Sequence, residues 1–192
     1  MSRPTELINL DSDCARERVE LHLRQYSPSF YDVCRSANRT LIFDEINDDE
    51  EVIVSYCDYG TWWSYDNFLK DNRERDADGA ITCYRGFHPH MLGTDNYAFL
   101  KEKKEGTRWM EAIQEKKPFT DNRMNEYASN GTYYFKTGSI MKKYFQKLMD
   151  LKMTVKNEYY VSMVYNLLIK DNLNVNIFEI EHMLQWGTPN DL

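Results

Sequence analysis

The spacing of apolar and polar positions changes several times along this chain, and each change marks an element. Val52-Ile53-Val54 opens a β-branched run over residues 51–56 that predicts a strand, and the run passes into Cys57-Asp58-Tyr59-Gly60. Ser64 then stands before a short helical pattern through Phe68 and Leu69. Residues 79–84, 97–100, 108–114 and 132–135 read as strands, and the 101–105 charge run reads as a solvated hairpin tip. Beyond them the period lengthens. Met141, Tyr144, Phe145, Leu148 and Met149 fall on one side of a helix capped by Ser139, and Tyr160, Met163, Val164, Leu167 and Leu168 follow a cap at Asn157. Residues 175–180 predict a last strand. Upstream the pattern is weaker: Asp13 caps a short helix through Val19 and Leu23 that Pro28 ends, and residues 41–46 close a second one before the Asn47-Asp48-Asp49 turn. Strands interleaved with helices in this order predict an α/β class with a mixed sheet.

At 192 residues the chain is expected to form one domain with a sizeable core. A formal net charge of −7 argues against general nucleic-acid binding, which needs a basic face, yet leaves room for a nucleotide held by Mg²⁺ and one or two lysines. Cys14, Cys34, Cys57 and Cys83 are too far apart for a zinc pattern or a disulfide framework. The first residues lack the apolar core of a signal peptide, and no apolar run approaches the roughly 18–20 residues of a membrane span, so the expected location is cytoplasmic.

Five segments carry candidate chemistry. Asp58 ends the first strand beside Gly60, where open α/β sheets bind ligands; a carboxylate there suits a Mg²⁺ on a nucleotide, or simply a turn. Glu115-Lys116 also ends a strand, where the carboxylate can accept sugar hydroxyls and the ammonium can hold a phosphate; the bland alternative is a charged turn before Pro118. Gly131, in Ser129-Asn130-Gly131-Thr132, either lets a ligand approach the backbone or marks a bulge. Arg85-Gly86-Phe87-His88-Pro89-His90 offers Arg85, His88 and His90 as phosphate or hydroxyl contacts or as an ordinary loop, with too few histidines for a metal site. Glu158 falls in the first turn of the helix expected from Asn157, where the macrodipole alone accounts for a carboxylate. His22 and His182 read as structural.

Taken in order, these pieces resemble the sugar-phosphate nucleotidyltransferase family, in particular its capsule and surface-polysaccharide branch. They are Ser55-Tyr56-Cys57-Asp58-Tyr59-Gly60, Gly86-Phe87-His88-Pro89-His90, Glu115-Lys116, residues 129–135, Asn157-Glu158-Tyr159-Tyr160 and Trp186-Gly187-Thr188-Pro189. The resemblance covers residues 38–192 of a single domain and leaves 1–37 divergent. It implies a Rossmann-like three-layer α/β/α (GT-A-like) sandwich and attack of a substrate phosphate on the α-phosphorus of a nucleoside triphosphate, expelling pyrophosphate. It implies that Asp58 holds Mg²⁺, Lys116 steadies the substrate phosphate, Glu115 binds sugar or polyol hydroxyls, Gly131 admits the substrate and Glu158 lines the pocket. A nucleoside triphosphate and a small phosphorylated sugar are the implied partners, and homo-oligomerisation stays open.

Two features depart from the family. Its glycine-rich phosphate loop has no counterpart, since the first glycine is Gly60, and this suggests a chain truncated at its amino-terminal side. Gln185-Trp186 stands where many relatives place a second metal-binding Asp; Asp191 or Glu181 would have to substitute. Two other functions fit less closely: a non-catalytic relative that binds a sugar phosphate or a partner subunit, and a glycosyltransferase on the same architecture, against which a single Asp58 with no Asp-x-Asp pair around it counts.

Overall fold

The computed structural model describes Phe43, residues 46–56 and residues 59–185, with His90 described by its backbone alone. The expected helix over 13–28 lies outside these residues, as does most of that over 41–46. The chain runs β1 (Val52–Ser55), β2 (Tyr59–Trp62), α1 (Tyr65–Glu74), β3 (Gly79–Tyr84), β4 (Ala98–Glu102), β5 (Met110–Glu115), β6 (Tyr127–Phe135), α2 (Gly138–Asp150), α3 (Val161–Lys170), β7 (Val175–Glu179) and β8 (His182–Gln185), with one-turn 3₁₀ segments at Pro89–Leu92 and Arg123–Asn125.

The main sheet has the order β5-β4-β6-β3-β7. β6 is its axis. Residues 133–135 of β6 pair with β3 along one edge and residues 132–135 pair antiparallel with β1, so β1 lies on the opposite edge, end to end with β4, which pairs with Tyr127 and Ala128. Only β3 and β7 run parallel, giving the mixed sheet. β2 and β8 form a separate antiparallel ribbon.

Strand alternation assigns each residue to a layer. Val52, Ile81, Tyr133, Phe135 and Ile177 face one side, where Met141, Tyr144, Phe145 and Leu148 of α2 and Val164, Tyr165 and Leu168 of α3 cover them. Their neighbours Ile53, Ala80, Tyr134 and Phe178 face the other side, against Phe68 and Leu69 of α1. The result is a Rossmann-like α/β/α sandwich. Met183 of the ribbon packs on Tyr84, Met91, Phe99, Ala128 and Ile180. Among the described residues no helix is long and apolar enough to cross a membrane.

Local signals explain most boundaries. Ser64 caps α1 as expected, accepting from the Asn67 N–H at 3.3 Å, with Asp66 in the first turn and Arg73 in the last, both favourable to the helix dipole. The charge run 101–105 does close a hairpin, between β4 and β5. Two caps are corrected. Thr137, not Ser139, caps α2 by accepting from the Ile140 N–H at 3.2 Å, and Ser139 already lies inside the helix. α3 begins at Val161 rather than after Asn157, because Lys156 and Asn157 both adopt left-handed φ (51° and 66°). Those two residues form the corner of a tight reversal in which Val155 and Glu158 exchange both backbone hydrogen bonds, at 2.9 and 3.0 Å. β6 starts five residues earlier than the 132–135 run, at Tyr127.

Candidate functional site

Glu115 is the last residue of β5 and Lys116 the first beyond it. Consecutive residues of a regular strand face opposite sides of a sheet. Lys116 escapes that rule with a left-handed φ of 54°, while its N–H stays bonded to the Tyr97 carbonyl at 3.0 Å. Both side chains therefore reach the segment leading into α3. Glu115 Oε2 accepts from the Ser162 hydroxyl at 2.5 Å, and Lys116 Nζ donates to the Tyr160 hydroxyl at 2.5 Å. A left-handed non-glycine residue costs of order 1 kcal/mol and persists where its surroundings enforce it.

The reversal at Lys156–Asn157 delivers Glu158 to the same place. Residues 158–160 leave it in extended form, so alternation puts Glu158 and Tyr160 on one side and turns Tyr159 into the core, where it is 8% exposed. The Tyr160 hydroxyl donates to Glu158 Oε2, and Lys116 Nζ stands 4.0 Å from the same oxygen and 4.6 Å from the centre of the Tyr160 ring. Glu115, Lys116 and Glu158, singled out in the sequence for different reasons, thus meet in one cluster with Tyr160 and Ser162.

The electrostatics are those of a partly desolvated site. Burial pushes the Glu115 carboxyl up to about 7, and nearby Glu158 adds to this, against the downward pull of the Ser162 hydroxyl and the Lys116 ammonium. Tyr160 is also raised, by burial and then by the bond it donates to Glu158. Near neutral pH Glu115 therefore exists in both forms, able to accept a hydroxyl when ionised and to donate to one when protonated.

Gly131 sits in a bulge of β6 beside this cluster. Ile81 pairs with Tyr133 but Cys83 pairs with Ser129, so two steps of β3 meet four of β6 and the chain loops out at Asn130-Gly131-Thr132. The Thr82 hydroxyl donates to Asn130 Oδ1, Asn130 Nδ2 donates to Thr61 Oγ1 at 2.9 Å, and Ser129 Oγ accepts from the Gly131 N–H at 3.1 Å. Gly131 has φ 95°, and a Cβ there would lie 2.5 Å from the Tyr56 ring, which packs over the glycine and against Tyr133. The face expected to admit a ligand is covered by Tyr56 in this structure.

Arg85 and His88 have other partners. Arg85 donates two hydrogen bonds to Glu179 at 2.9 and 2.7 Å and stacks on Tyr127 at 4.4 Å. His88 Nε2 lies 3.3 Å from the Met183 carbonyl and its ring packs on Tyr84. The backbone of His90 belongs to the Pro89–Leu92 turn. Asp58 and Asp191, the residues expected to bind metal, lie outside the described residues, as does the 186–189 segment. Among the described residues no three His, Cys, Asp or Glu side chains converge as a metal site would require, Glu181 included. The described residues alone do not make a magnesium site.

Sequence reasoning missed Tyr160 and Ser162, placing Tyr160 among core positions of a helix. The signal was Asn157, a residue that tolerates left-handed φ and favours turns as readily as caps. Read as a turn, it makes residues 158–160 extended and sets Tyr160 beside Glu158.

Two solved structures share this arrangement of strands and helices. A nucleoside-diphosphate-sugar pyrophosphorylase from Vibrio cholerae RC9 matches with a TM-score of 0.57 and 21% identity, over 73% of this chain and 53% of its own. A Bacillus anthracis protein described as a glucose-1-phosphate thymidylyltransferase, solved in complex with sucrose, matches with a TM-score of 0.57 and 16% identity, over 79% of this chain and 55% of its own. This chain shares the fold of both. At these identities the likeness is one of fold, and this chain spans about half the length of each of those proteins. No protein-family model and no curated protein sequence matches the chain.

Proposed function

We propose that this chain binds a small phosphorylated sugar through Glu115 and Lys116 and transfers a nucleotidyl group to it from a nucleoside triphosphate. The observation that carries the reading is the convergence of Glu115, Lys116 and Glu158 on the segment entering α3, made possible by left-handed backbone at Lys116 and at the 156–157 reversal. The nucleotidyltransferase-like fold supports it.

In this reading Lys116 leaves its hydroxyl partner for the substrate phosphate, offsetting the repulsion between that dianion and the triphosphate. Glu115, braced by Ser162, takes one or two sugar hydroxyls and fixes the direction from which the phosphate arrives. A phosphate oxygen then attacks the α-phosphorus, a P–O bond forms, and the bond to the leaving pyrophosphate breaks. Such a reaction needs positioning and charge neutralisation more than an acid–base pair. By resemblance the product is an activated sugar for surface-polysaccharide assembly, and Asp58 is the proposed Mg²⁺ ligand.

A second reading, a binder of phosphorylated sugars without turnover, is favoured by one observation. The groups that would hold a phosphorylated sugar, Glu115, Lys116 and Glu158, meet in one cluster among the described residues. One assay separates the two. Pyrophosphate release is followed with α-D-glucose 1-phosphate, Mg²⁺ and each nucleoside triphosphate in turn, for the unaltered chain and Asp58→Asn. Turnover that Asp58→Asn abolishes without moving the melting temperature supports transfer; full activity in that variant removes Asp58 from the mechanism. Phosphosugar binding with no turnover under any triphosphate favours the binder.

A further inference from the structure

The Tyr160 hydroxyl lies between the two opposite charges of the cluster. It accepts from Lys116 Nζ at 2.5 Å and donates to Glu158 Oε2, so ammonium and carboxylate stand 4.0 Å apart with the phenol oxygen bridging them. Its position is set by the backbone: it is the extended residue (φ −122°, ψ 136°) immediately before Val161 opens α3. The ammonium stands 4.6 Å from the ring centre, on the hydroxyl side.

A lysine and a glutamate this close with no group between them contract to a direct charge-assisted hydrogen bond of about 2.8 Å. Such a pair neutralises the cation, and a phosphate must then break it before it can bind. The bridging hydroxyl prevents that contraction, since it satisfies the ammonium with a neutral oxygen and gives the carboxylate a proton donor of its own.

We infer that Tyr160 is a positioning residue that spaces Glu158 from Lys116 and so keeps the Lys116 ammonium open to the phosphate of a phosphorylated sugar. The inference rests on the reading that Lys116 holds that phosphate. Nothing in the spacing of the sequence assigns Tyr160 this part; it follows from one oxygen shared by both charges.

The test is a double-mutant cycle read by calorimetric titration with α-D-glucose 1-phosphate, and with inorganic phosphate as the minimal probe. Tyr160→Phe keeps the ring and its stacking and removes only the hydroxyl, and a thermal melt checks that it folds. In the Glu158 background Tyr160→Phe is expected to weaken both ligands about tenfold, the size of one charge-assisted hydrogen bond. In the Glu158→Gln background, where no carboxylate remains to capture Lys116, the same change is expected to cost less than about twofold. Equal losses in both backgrounds mean a merely structural Tyr160 and overturn the inference, as does unaltered binding in Tyr160→Phe when Lys116→Ala abolishes it. If Lys116→Ala binds as well as the unaltered chain, the phosphate reading itself falls and takes the inference with it. The Lys116 arm therefore separates the two failures.

Discussion

Lys116 and Arg85 occupy equivalent places, each the first residue beyond a strand and each a cation expected to meet phosphate, yet they end in opposite states. Arg85 is closed. Glu179 at the end of β7 takes its guanidinium with two hydrogen bonds, and Tyr127 covers one face. Lys116 meets a neutral hydroxyl at 2.5 Å and keeps the nearest carboxylate at 4.0 Å. The difference lies in partner geometry. A guanidinium fork matches a carboxylate edge to edge, and once matched has little left to offer a ligand. An ammonium held by one hydroxyl can exchange it for a phosphate oxygen at little cost. Charge at a strand end is readable from a sequence; whether the fold spends that charge on itself is not.

Binding offers the strongest way to break this contrast. Lys116→Ala is expected to weaken α-D-glucose 1-phosphate by about a hundredfold, as removal of a charge-assisted pair implies, while Arg85→Ala stays within about twofold of the unaltered chain. Calorimetric titration reads both, and the reverse order would exchange the roles of the two regions.

Stability sharpens it next. Gly131 and Gly86 both have positive φ (95° and 93°), but a Cβ at Gly131 would collide with Tyr56, whereas at Gly86 it would meet open space. Gly131→Ala is expected to cost about 2–3 kcal/mol, and Gly86→Ala about 1 kcal/mol from backbone strain alone. Urea unfolding midpoints test this; equal losses would mean that the bulge beside the cluster is not packed as described.

The pH dependence of folding comes third. Glu115 is raised from 4.5 to about 7 in the fold, so between these values the native state binds more protons than the unfolded chain. Its contribution is fully present below about 4.5 and is lost as pH rises through 7. Glu115→Gln is expected to flatten this part of the stability profile, measured by denaturant titrations from pH 4 to 8. An unchanged slope would remove the desolvated-carboxylate account. The smallest effect belongs to Arg85→Ala, whose half-exposed ion pair with Glu179 is worth about 1 kcal/mol or less.

The layers of the fold were legible because burial writes itself as period. The short β-prone runs at 79–84 and 52–54 and the 3.6-residue pattern from Met141 to Leu148 each describe a surface that must be covered. The β2–β8 ribbon was not legible. Its strands hold Gly60, Thr61 and Gln185 and carry little apolar alternation, and their contacts are long-range: Met183 joins the cluster of Tyr84 and Phe99, and Thr61 accepts from Asn130. The first half of β6 was hidden for a related reason: Ser129 and Asn130 are buried polar residues whose partners, Tyr133 and the Thr82–Thr61 pair, come from distant parts of the chain or across a bulge. At the site, residue identity pointed to Glu115 and Lys116, but their convergence depends on left-handed backbone at Lys116, Lys156 and Asn157, which lysine in particular gives no reason to expect. Arg85 was misleading because its partner lies 94 residues away on β7.

The most direct measurement is a crystal structure of the chain grown with α-D-glucose 1-phosphate. The account predicts phosphate oxygens within hydrogen-bonding distance of Lys116 Nζ, sugar hydroxyls on Glu115, and Arg85 still paired with Glu179. A phosphate held between Arg85 and His88, with Lys116 still donating to Tyr160, would contradict it.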